Sequence, residues 1–315
     1  MSDNIKVKII ARDDQGQGVM VITMAALDNQ PLPPFEAGAH VELYLSDGLL
    51  RQYSLCSSPH NHGTYRLGIL KSPESRGGSA RAYQINPGDI VEISAPRNLF
   101  PLDHTANHSL LISGGIGVTP MLAMADTLYR QGKSFEFIYC AKSRATAGFV
   151  DEILSGHWSD LARLHFSDEN AKKRISLSEI LSDAPYNTHL YVCGPEGFMQ
   201  WVLGSAEESG FSDQQLHKEF FNKTVETSGN SFTVHVANLN KEVMVLENQS
   251  ITEALSDAGI KVKVSCQQGI CGTCLANVLS GTPDHRDSYL TEDEKEDNDQ
   301  IILCCSRSRS ERLEI

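Results

Sequence analysis

Four cysteines near the C-terminal end of the chain have a spacing that suits redox chemistry. Cys266, Cys271 and Cys274 form a Cys-x4-Cys-x2-Cys run, and Cys304 follows thirty positions after Cys274. Plant-type [2Fe–2S] proteins space their thiolate ligands in this way, with three on one loop and the fourth farther along the chain. Gly269 inside the loop allows a tight turn, since glycine reaches backbone conformations that other residues avoid. The pattern therefore predicts a binuclear iron–sulfur cluster, which transfers one electron at a time.

A structural zinc site is the alternative interpretation of these thiols. Such sites usually combine two Cys-x2–4-Cys knuckles, and here only Cys271 and Cys274 form one. The identity of the fourth ligand is also open, because Cys305 directly follows Cys304. The plant-type separation favours Cys304 as the ligand and makes Cys305 its neighbour.

The composition is that of an acidic protein of 315 residues, long enough for two or three domains. A formal net charge of −13 argues against nucleic acid as a partner. The polar start of the sequence and the lack of a long apolar run predict a cytoplasmic protein with no membrane segment. The acidic run at 291–299 is expected to form a solvated surface loop, with a docking patch for a basic partner as the alternative.

Hydrophobic patterning divides the chain into three folded segments. Residues 1–103 contain short alternating runs between Gly, Pro and Asp turns, which predict an antiparallel β-sandwich or β-barrel. Residues 104–224 alternate strands with helices, as is typical of a doubly wound α/β domain with a parallel sheet. Residues 225–230 have the composition of a linker. Residues 231–315 combine paired strands, a capped helix and the cysteine loop in a small α+β domain.

Two turns in the middle segment are candidates for binding a dinucleotide. The turn that contains Gly115 and Gly117 follows a strand and opens a helix, so its N–H groups and the positive helix end would face a phosphate. Pro120 takes the place of the third glycine of the usual fingerprint. Cys193 and Pro195 also lie between a strand and a helix, which points them at the same crevice. Either turn alone could be an ordinary connection, but together they predict a nicotinamide nucleotide site.

The end of the third strand of this segment bears on the choice of nucleotide. Asp168 and Glu169 lie there, and a carboxylate suits the free 2′-hydroxyl of NADH. Lys172, Lys173 and Arg174 follow, and cations would suit the 2′-phosphate of NADPH. The position of the carboxylates favours NADH.

The first segment has two groups of residues that could hold a flat phosphorylated cofactor. Arg51 could pair with phosphate, Tyr53 could pack its ring on the cofactor, and Ser54 could hydrogen-bond to a ring edge. Gly78 and Ser79 could form a small backbone cradle for phosphate. Each residue taken singly could equally be part of an ordinary strand or turn.

The order of these motifs resembles that of the phthalate dioxygenase reductase and vanillate demethylase reductase family. The shared series is Arg-x-Tyr-Ser, Gly-Gly-x-Gly-x-Thr-Pro, Cys-Gly-Pro and a C-terminal plant-type cysteine run, and it covers nearly the full length. The resemblance implies a flavin-binding β-barrel, a nicotinamide-binding α/β domain and a plant-type ferredoxin domain, with FMN as the flavin. By the same resemblance, the FMN residues are Arg51, Tyr53, Ser54, Gly78, Ser79 and Phe221, with Phe220 as the rival to Phe221, and the nicotinamide site includes Gly115, Thr119, Cys193 and Pro195.

The resemblance also implies the function of an electron-transfer reductase. Electrons would pass from NADH to FMN, to the [2Fe–2S] cluster and on to a Rieske-type oxygenase that acts on an aromatic acid or a small amine. No side chain is expected to act as a general acid or base, and the chain is expected to be a monomer in isolation. The alternatives are a reductase for a diiron monooxygenase or a cytochrome, and a zinc protein without enzymatic activity.

Overall fold

The computed structural model describes residues 4–27, 30–45, 49–72, 78–169, 175–221 and 225–315. The chain divides into two compact units, Met1–Phe221 and Asn222–Ile315. Among the described residues, no helix has the length and apolarity that a membrane crossing requires.

The first part of the first unit is an antiparallel β-structure. Its elements are β1 (Ile5–Gln15), β2 (Val19–Ala26), β3 (Ala39–Tyr44), β4 (Leu50–Ser54), β5 (Tyr65–Leu70), α1 (Gly78–Ala82), β6 (Ile90–Ile93) and β7 (Arg97–Asn98). The strand order is β4-β3-β6-β1-β2-β5, and β7 pairs with β3. A bridge between Leu55 and Leu67 joins the two ends of this order, so the sheet closes on itself. Buried and exposed residues alternate along the strands, so that one face of the sheet lines the interior. In β1, Val7 and Ile9 are buried, whereas Lys6 and Lys8 are exposed. The predicted antiparallel barrel is confirmed.

The second part of this unit is a doubly wound α/β structure. Its elements are β8 (His108–Gly114), α2 (Val118–Arg130), β9 (Phe135–Ala141), α3 (Val150–Ser155), β10 (Ala162–Phe166), α4 (Leu177–Ser182), β11 (Thr188–Cys193), α5 (Glu196–Glu208) and β12 (Leu216–Glu219). The strands are all parallel in the order β10-β9-β8-β11-β12. The chain begins at β8 and builds the sheet first to one side and then to the other. The switch point, where such folds bind ligands, therefore lies between the carboxyl ends of β8 and β11.

The barrel and the α/β structure share one hydrophobic core. Val19, Val21 and Phe100 of the barrel belong to the same buried cluster as Met121 and Tyr139 of the α/β structure. A paired salt bridge spans the same boundary, because the guanidinium of Arg66 donates to both carboxylate oxygens of Glu152 at 2.9 and 2.8 Å. Residues that the two parts contribute to a common site are thus held in fixed relation.

The second unit is a small α+β structure. Its elements are β13 (Phe232–Val236), β14 (Lys241–Val245), α6 (Ile251–Asp257), β15 (Leu275–Asn277), β16 (Pro283–Asp284), α7 (Glu292–Asp297), β17 (Gln300–Ile302), β18 (Arg307–Ser308) and β19 (Arg312–Glu314). The main sheet has the order β14-β13-β19. Two short antiparallel pairs, β15 with β17 and β16 with β18, complete the unit. Helix α6 begins with the predicted capping box of Ser250 and Glu253.

The expectation of a loop in the acidic run is wrong. The segment contains helix α7, and Thr291 opens it with a capping box in which the carboxylate of Glu294 accepts the N–H of Thr291 at 2.8 Å. Acidic residues fill the first turn, where the positive end of the helix stabilises negative charge. The run is nevertheless largely exposed to solvent, as expected.

Residues 225–230, which have linker composition, are bound to the second unit by two arginines. Arg307 is 1% exposed, and its guanidinium donates to the carbonyl oxygens of Thr227 at 2.8 Å and Asn230 at 2.9 Å. Arg286 donates to the carbonyl oxygens of Glu226 at 2.7 Å and Ser228 at 2.8 Å. Residues 226–230 are therefore anchored through their backbone.

Candidate functional site

The cysteine loop of the second unit gathers the predicted ligand sulfurs in one place. Cys271, Cys274 and Cys304 are buried, and Cys266 is partly buried. The backbone N–H of Gln268 donates to Sγ of Cys266 at 3.3 Å, and that of Gly269 donates to Sγ of Cys304 at 3.3 Å. Backbone N–H groups that point at sulfur stabilise thiolate charge, so the loop is suited to a cluster of negative ligands.

Two glycines let this loop pack without side chains. Gly269 and Gly272 have φ values of +72° and +70°. A Cβ on Gly269 would lie 2.4 Å from Sγ of Cys305, and a Cβ on Gly272 would lie 2.2 Å from the ring of Tyr289. Both the left-handed backbone and the close approach therefore require glycine at these positions.

The sulfurs form a series of contacts that does not converge on one point, which fits two irons better than one zinc ion. Cys266 contacts Cys271, and Cys274 contacts Cys304, while Cys266 also reaches Cys304. Ligands of one tetrahedral zinc ion lie about 3.3–3.8 Å apart, since Zn–N and Zn–S bonds are about 2.0 and 2.3 Å long. Among the described residues, no group of three cysteine sulfurs meets even a 4.8 Å limit on all mutual distances. The arrangement therefore matches a binuclear cluster.

The neighbouring thiols Cys304 and Cys305 both lie beside the cysteine loop but have different partners. Sγ of Cys304 accepts the N–H of Gly269 at 3.3 Å and contacts Cys266 and Cys274. Sγ of Cys305 lies near the carbonyl oxygen of Ile302 at 3.8 Å and the hydroxyl of Ser306 at 3.7 Å, and it also borders Gly269. Cys304 stays the predicted fourth ligand, with Cys305 as its neighbour.

The close thiols perturb one another's protonation. Hydrogen bonds from Cys271 and then Cys304 lower the pKa of Cys266 to about 2. The hydrogen bond to Cys266 raises the pKa of Cys271, since that proton is shared with a thiolate. A group of sulfurs that holds a negative charge in this way is prepared to receive a cation.

The two candidate nucleotide turns meet at the switch point of the α/β sheet. A Cβ on Gly117 would lie 2.2 Å from the carbonyl oxygen of Cys193, so the glycine turn after β8 presses directly on the turn after β11. A Cβ on Gly194 would lie 3.1 Å from Cα of Gly114. Gly115 has φ +55°. A Cβ on Gly115 would meet no atom within 4 Å, so a ligand has room to approach the N–H groups of this turn.

The remaining predicted residues of these turns have structural contacts of their own. Thr119 is buried in the first turn of α2, and its hydroxyl donates to the carbonyl oxygen of Ile116 at 3.0 Å. Its methyl group lies against Gly68 of β5, where a Cβ would come within 2.6 Å. Pro195 is the N-cap of α5. Thr119 therefore helps to fix the nucleotide turn against the barrel.

The barrel residues that were expected to contact flavin lie along β4 and α1. The side chain of Arg51 crosses Gly78, because a Cβ there would lie 2.3 Å from Nε of Arg51. The hydroxyl of Ser79 accepts the N–H of Ser72 at 3.2 Å. Tyr53 packs against the barrel core, and burial raises the pKa of its phenol to about 12. Gly77, which directly precedes Gly78 and Ser79, lies outside the described residues.

A carboxylate that the sequence analysis did not single out joins the barrel to the switch point. The hydroxyl of Ser54, at the end of β4, donates to Oε2 of Glu219 at 3.1 Å. Glu219 is the register partner of Cys193 across β12 and β11. Burial raises the pKa of Glu219 to about 8, and the Ser54 hydrogen bond acts in the opposite direction. Ser54, Cys193 and Glu219 therefore form one contact where β4 reaches the nucleotide crevice.

Asp168 lies apart from this contact, as expected for a residue at the far end of a nucleotide. It follows β10 at the sheet edge, and its carboxylate accepts the N–H of Glu169 at 2.8 Å. Arg144, which sequence reasoning did not identify, pairs with Glu169 at 3.4 Å and lies over the ring of Phe166. Lys172, Lys173 and Arg174 lie outside the described residues.

The two candidate phenylalanines after β12 pack on different cores. Phe221 is partly buried against the core that the barrel shares with the α/β structure. Phe220 packs against the second core of the α/β structure, on the side of α4 and α5. Only Phe221 therefore faces the side where barrel and sheet meet.

A flavin-type barrel, a nucleotide-binding α/β structure and a cysteine loop for a binuclear cluster define an iron–sulfur flavoprotein reductase. The model of the 2Fe-2S iron-sulfur cluster binding domain matches residues 234–309, and that of the dimethylamine monooxygenase subunit DmmA-like N-terminal domain matches residues 94–216. The chain is 43% identical to a vanillate O-demethylase oxidoreductase of Pseudomonas sp. strain HR199, over 97% of this chain and 98% of the relative.

Two solved structures resemble the whole chain. Phthalate dioxygenase reductase matches with 33% identity and a TM-score of 0.76, over 99% of this chain and 97% of that one. An intact type IV self-sufficient cytochrome P450 monooxygenase matches with 31% identity and a TM-score of 0.85, over 99% of this chain and 40% of that one.

The chain belongs to the family of oxygenase reductase components that includes vanillate O-demethylase oxidoreductase and phthalate dioxygenase reductase. It is an oxidoreductase that transfers electrons to an oxygenase. The comparisons support a [2Fe–2S] cluster, a flavin and a pyridine nucleotide as its redox groups.

Proposed function

We propose that the chain is an NADH-dependent reductase component that uses FMN and a [2Fe–2S] cluster to supply electrons to a Rieske-type oxygenase acting on an aromatic acid or a small amine. The observation that carries the proposal is the meeting of β4 with the switch point, where Ser54 of the barrel contacts Glu219 beside Cys193. This contact places the candidate flavin strand next to the candidate nucleotide turns within one rigid core. The relative named vanillate O-demethylase oxidoreductase, which matches along nearly its full length, supports an aromatic acid as the substrate of the partner.

The barrel residues would hold FMN by complementary charge and shape. Flavin accepts two electrons together and releases them singly, and the cluster carries single electrons, which is the chemistry the two groups supply when bound. We assign Arg51, Gly78 and Ser79 to the phosphate, because the guanidinium crosses Gly78 beside the start of α1. Tyr53 would pack on the ring system, and Ser54 would hydrogen-bond to its edge.

The switch-point residues would hold NADH. Gly115 and Gly117 would let the pyrophosphate approach the backbone, and Thr119 fixes that turn against the barrel. Cys193 and Pro195 would line the nicotinamide end. Burial, and then the nearby Glu219, raise the pKa of Cys193, so its thiol remains neutral and offers a nonpolar wall to the nicotinamide. Asp168 would accept the ribose 2′-hydroxyl, and Phe221 would lie beside the flavin.

Cys266, Cys271, Cys274 and Cys304 would hold the cluster. Neighbouring sulfurs of this set contact one another, and backbone N–H groups of the loop donate to two of them. Such hydrogen bonds stabilise negative charge on sulfur and therefore raise the reduction potential of a bound cluster.

Reconstitution tests the proposal directly. The purified chain is mixed with NADH, a Rieske-type oxygenase and its aromatic acid, and product formation is measured beside NADH consumption. We expect coupled turnover that depends on all components and release of FMN, not FAD, on heat denaturation. Reduction of generic one-electron acceptors without turnover of any Rieske-type oxygenase would contradict the assigned partner while leaving the reductase activity intact.

A cytochrome is the second candidate acceptor. The chain matches 40% of a self-sufficient cytochrome P450 monooxygenase along nearly its own full length, so a closely similar reductase is part of that haem protein. Parallel assays with a cytochrome P450 in place of the Rieske-type oxygenase separate the two acceptors. Faster coupled turnover with the P450 would favour the second candidate.

We further propose a monomeric, cytoplasmic protein with domains at 1–103, 104–224 and 231–315 and a linker at 225–230. The acidic net charge of −13 supports a monomer by mutual repulsion between copies. Light scattering on the eluate of a size-exclusion column tests this, and a mass of twice 34.6 kDa would contradict it.

A further inference from the structure

A second group of possible metal ligands lies at the amino end of the parallel sheet. His189 and His217 are the second residues of the neighbouring strands β11 and β12, and Asp103 lies in the segment that leads from the barrel to β8. The nucleotide turns are at the other, carboxyl, end of the same strands, since β11 ends at Cys193. This cluster is therefore separate from the candidate redox groups, and the inference does not depend on the proposed function.

The ligand atoms of this cluster have the spacing of a single-ion site. Nδ1 of His189 lies 2.9 Å from Nε2 of His217 and 3.7 Å from Oδ2 of Asp103. All three atoms lie within 4.8 Å of one another. Nitrogen and oxygen ligands of a four-coordinate zinc ion, at bond lengths of about 2.0–2.1 Å, are about 3.3 Å apart. The two observed distances bracket that value.

Neighbouring groups hold the three side chains in place. The ring of Tyr191 stacks on His217 with centroids 4.5 Å apart, and its hydroxyl accepts the N–H of Asp103 at 2.7 Å. Thr105 donates its N–H and its hydroxyl to Oδ1 of Asp103 at 2.7 and 2.6 Å, which leaves Oδ2 on the side of His189. Orientation of ligands by a surrounding shell of hydrogen bonds is a feature of protein metal sites.

We propose that Asp103, His189 and His217 bind one divalent transition-metal ion of the Zn²⁺ class. Two imidazoles and a carboxylate select such an ion over Mg²⁺ or Ca²⁺, which prefer oxygen alone. Asp103 and His217 are partly exposed, so solvent can supply a fourth ligand. Because Asp103 belongs to the connection between barrel and sheet, the bound ion would fasten that connection to two strands.

Zinc uptake by the intact protein tests the proposal. Purified holoprotein is dialysed briefly against a chelator, then titrated with Zn²⁺ by calorimetry, and metals are counted by mass spectrometry after dialysis. We expect one zinc per chain in addition to the iron of the cluster. His217→Asn is expected to weaken binding by at least about 100-fold, since loss of even an outer partner of a ligand costs about 10–100-fold.

Two further variants complete the design. His108→Asn is the matched control, because His108 is a histidine of the adjacent strand β8 whose Nδ1 contacts Ser134 at 2.8 Å instead of the cluster. It should bind zinc like the wild type. Asp103→Asn is the second test variant and should also weaken binding, and zinc should raise the melting temperature of the wild type but not of either test variant. No added zinc in the wild type, or equal uptake in wild type and test variants, would overturn the proposal and leave a hydrogen-bonded histidine pair.

Discussion

Ionisation of Glu219 should control how the stability of the first unit depends on pH. The carboxyl group is partly buried, and its pKa is raised from 4.5 to about 8, chiefly by burial. In the unfolded chain it ionises near its ordinary pKa. Between pH 4.5 and 8, therefore, the unfolded state releases a proton that the folded state retains. Stability is full below pH 4.5 and falls as the pH rises through this window.

The size of the effect follows from the two pKa values. A pKa difference from 4.5 to about 8 corresponds to about 5 kcal/mol of unfolding free energy, at about 1.4 kcal/mol for each pH unit. Because Glu219 is only partly shielded from solvent, screening reduces this to about 3 kcal/mol. Glu219→Gln removes the titration and keeps an oxygen that can accept from Ser54.

The assay can be confined to the first unit, because both tryptophans of the chain, Trp158 and Trp201, lie there. Urea unfolding followed by tryptophan fluorescence is measured at pH 5, 6, 7 and 8 for the wild type and for Glu219→Gln. We expect the wild type to lose about 3 kcal/mol relative to the variant between the extremes. Glu208→Gln, at an exposed position near the end of α5, is the matched control and should follow the wild type.

A constant difference between the wild type and Glu219→Gln from pH 5 to pH 8 would refute this reasoning. It would mean that Glu219 ionises in the folded protein as it does in water. Ser54→Ala provides an internal check, because loss of the hydrogen bond that favours the charged carboxylate should raise the pKa of Glu219 further.

Three test substitutions and one control, Cys305→Ser, probe the assigned redox residues. Cys271→Ser should abolish reduction of one-electron acceptors while NADH still bleaches the flavin, and Cys305→Ser should keep acceptor reduction; intact acceptor reduction in Cys271→Ser would exclude that ligand. Arg51→Ala should lose a charged phosphate contact worth about 1.5–3 kcal/mol, or roughly 10–100-fold in flavin affinity, measured as flavin retained on purification; full retention would argue against a phosphate role. Asp168→Arg should shift the ratio of kcat/KM values toward NADPH, and an unchanged ratio would remove Asp168 from the ribose site.

The sequence predicts the elements well where one local pattern determines them. The alternating apolar runs predict β2, β3 and β5, and the strand–turn–helix pattern around Gly117 predicts β8 and α2. Both patterns arise because burial on one face imposes a period on the apolar residues. Helix α7 was misjudged because it has no apolar stripe. Its only local signal is the capping box of Thr291 and Glu294, which the density of acidic residues obscured.

Contacts between distant positions could not be predicted from one sequence. Ser54 and Glu219 are 165 positions apart, and the register that sets Glu219 beside Cys193 depends on the pairing of β12 with β11. The cysteine loop is the exception, because a [2Fe–2S] cluster needs ligands at a characteristic spacing along the chain, and that spacing is visible in the sequence. The same spacing favours Cys304 over Cys305 as the fourth ligand, and this assignment stays a prediction.

The buried guanidinium of Arg307 has a practical consequence for transplanting the iron–sulfur portion into another protein. A graft that starts at 231 would lack the carbonyl groups of Thr227 and Asn230. The buried guanidinium of Arg307 would then lose these two hydrogen-bond acceptors, which is costly for a charge in the interior. A graft that starts at 225 keeps these acceptors and those that hold Arg286. The smallest portable electron carrier within this chain therefore begins several residues before its first strand.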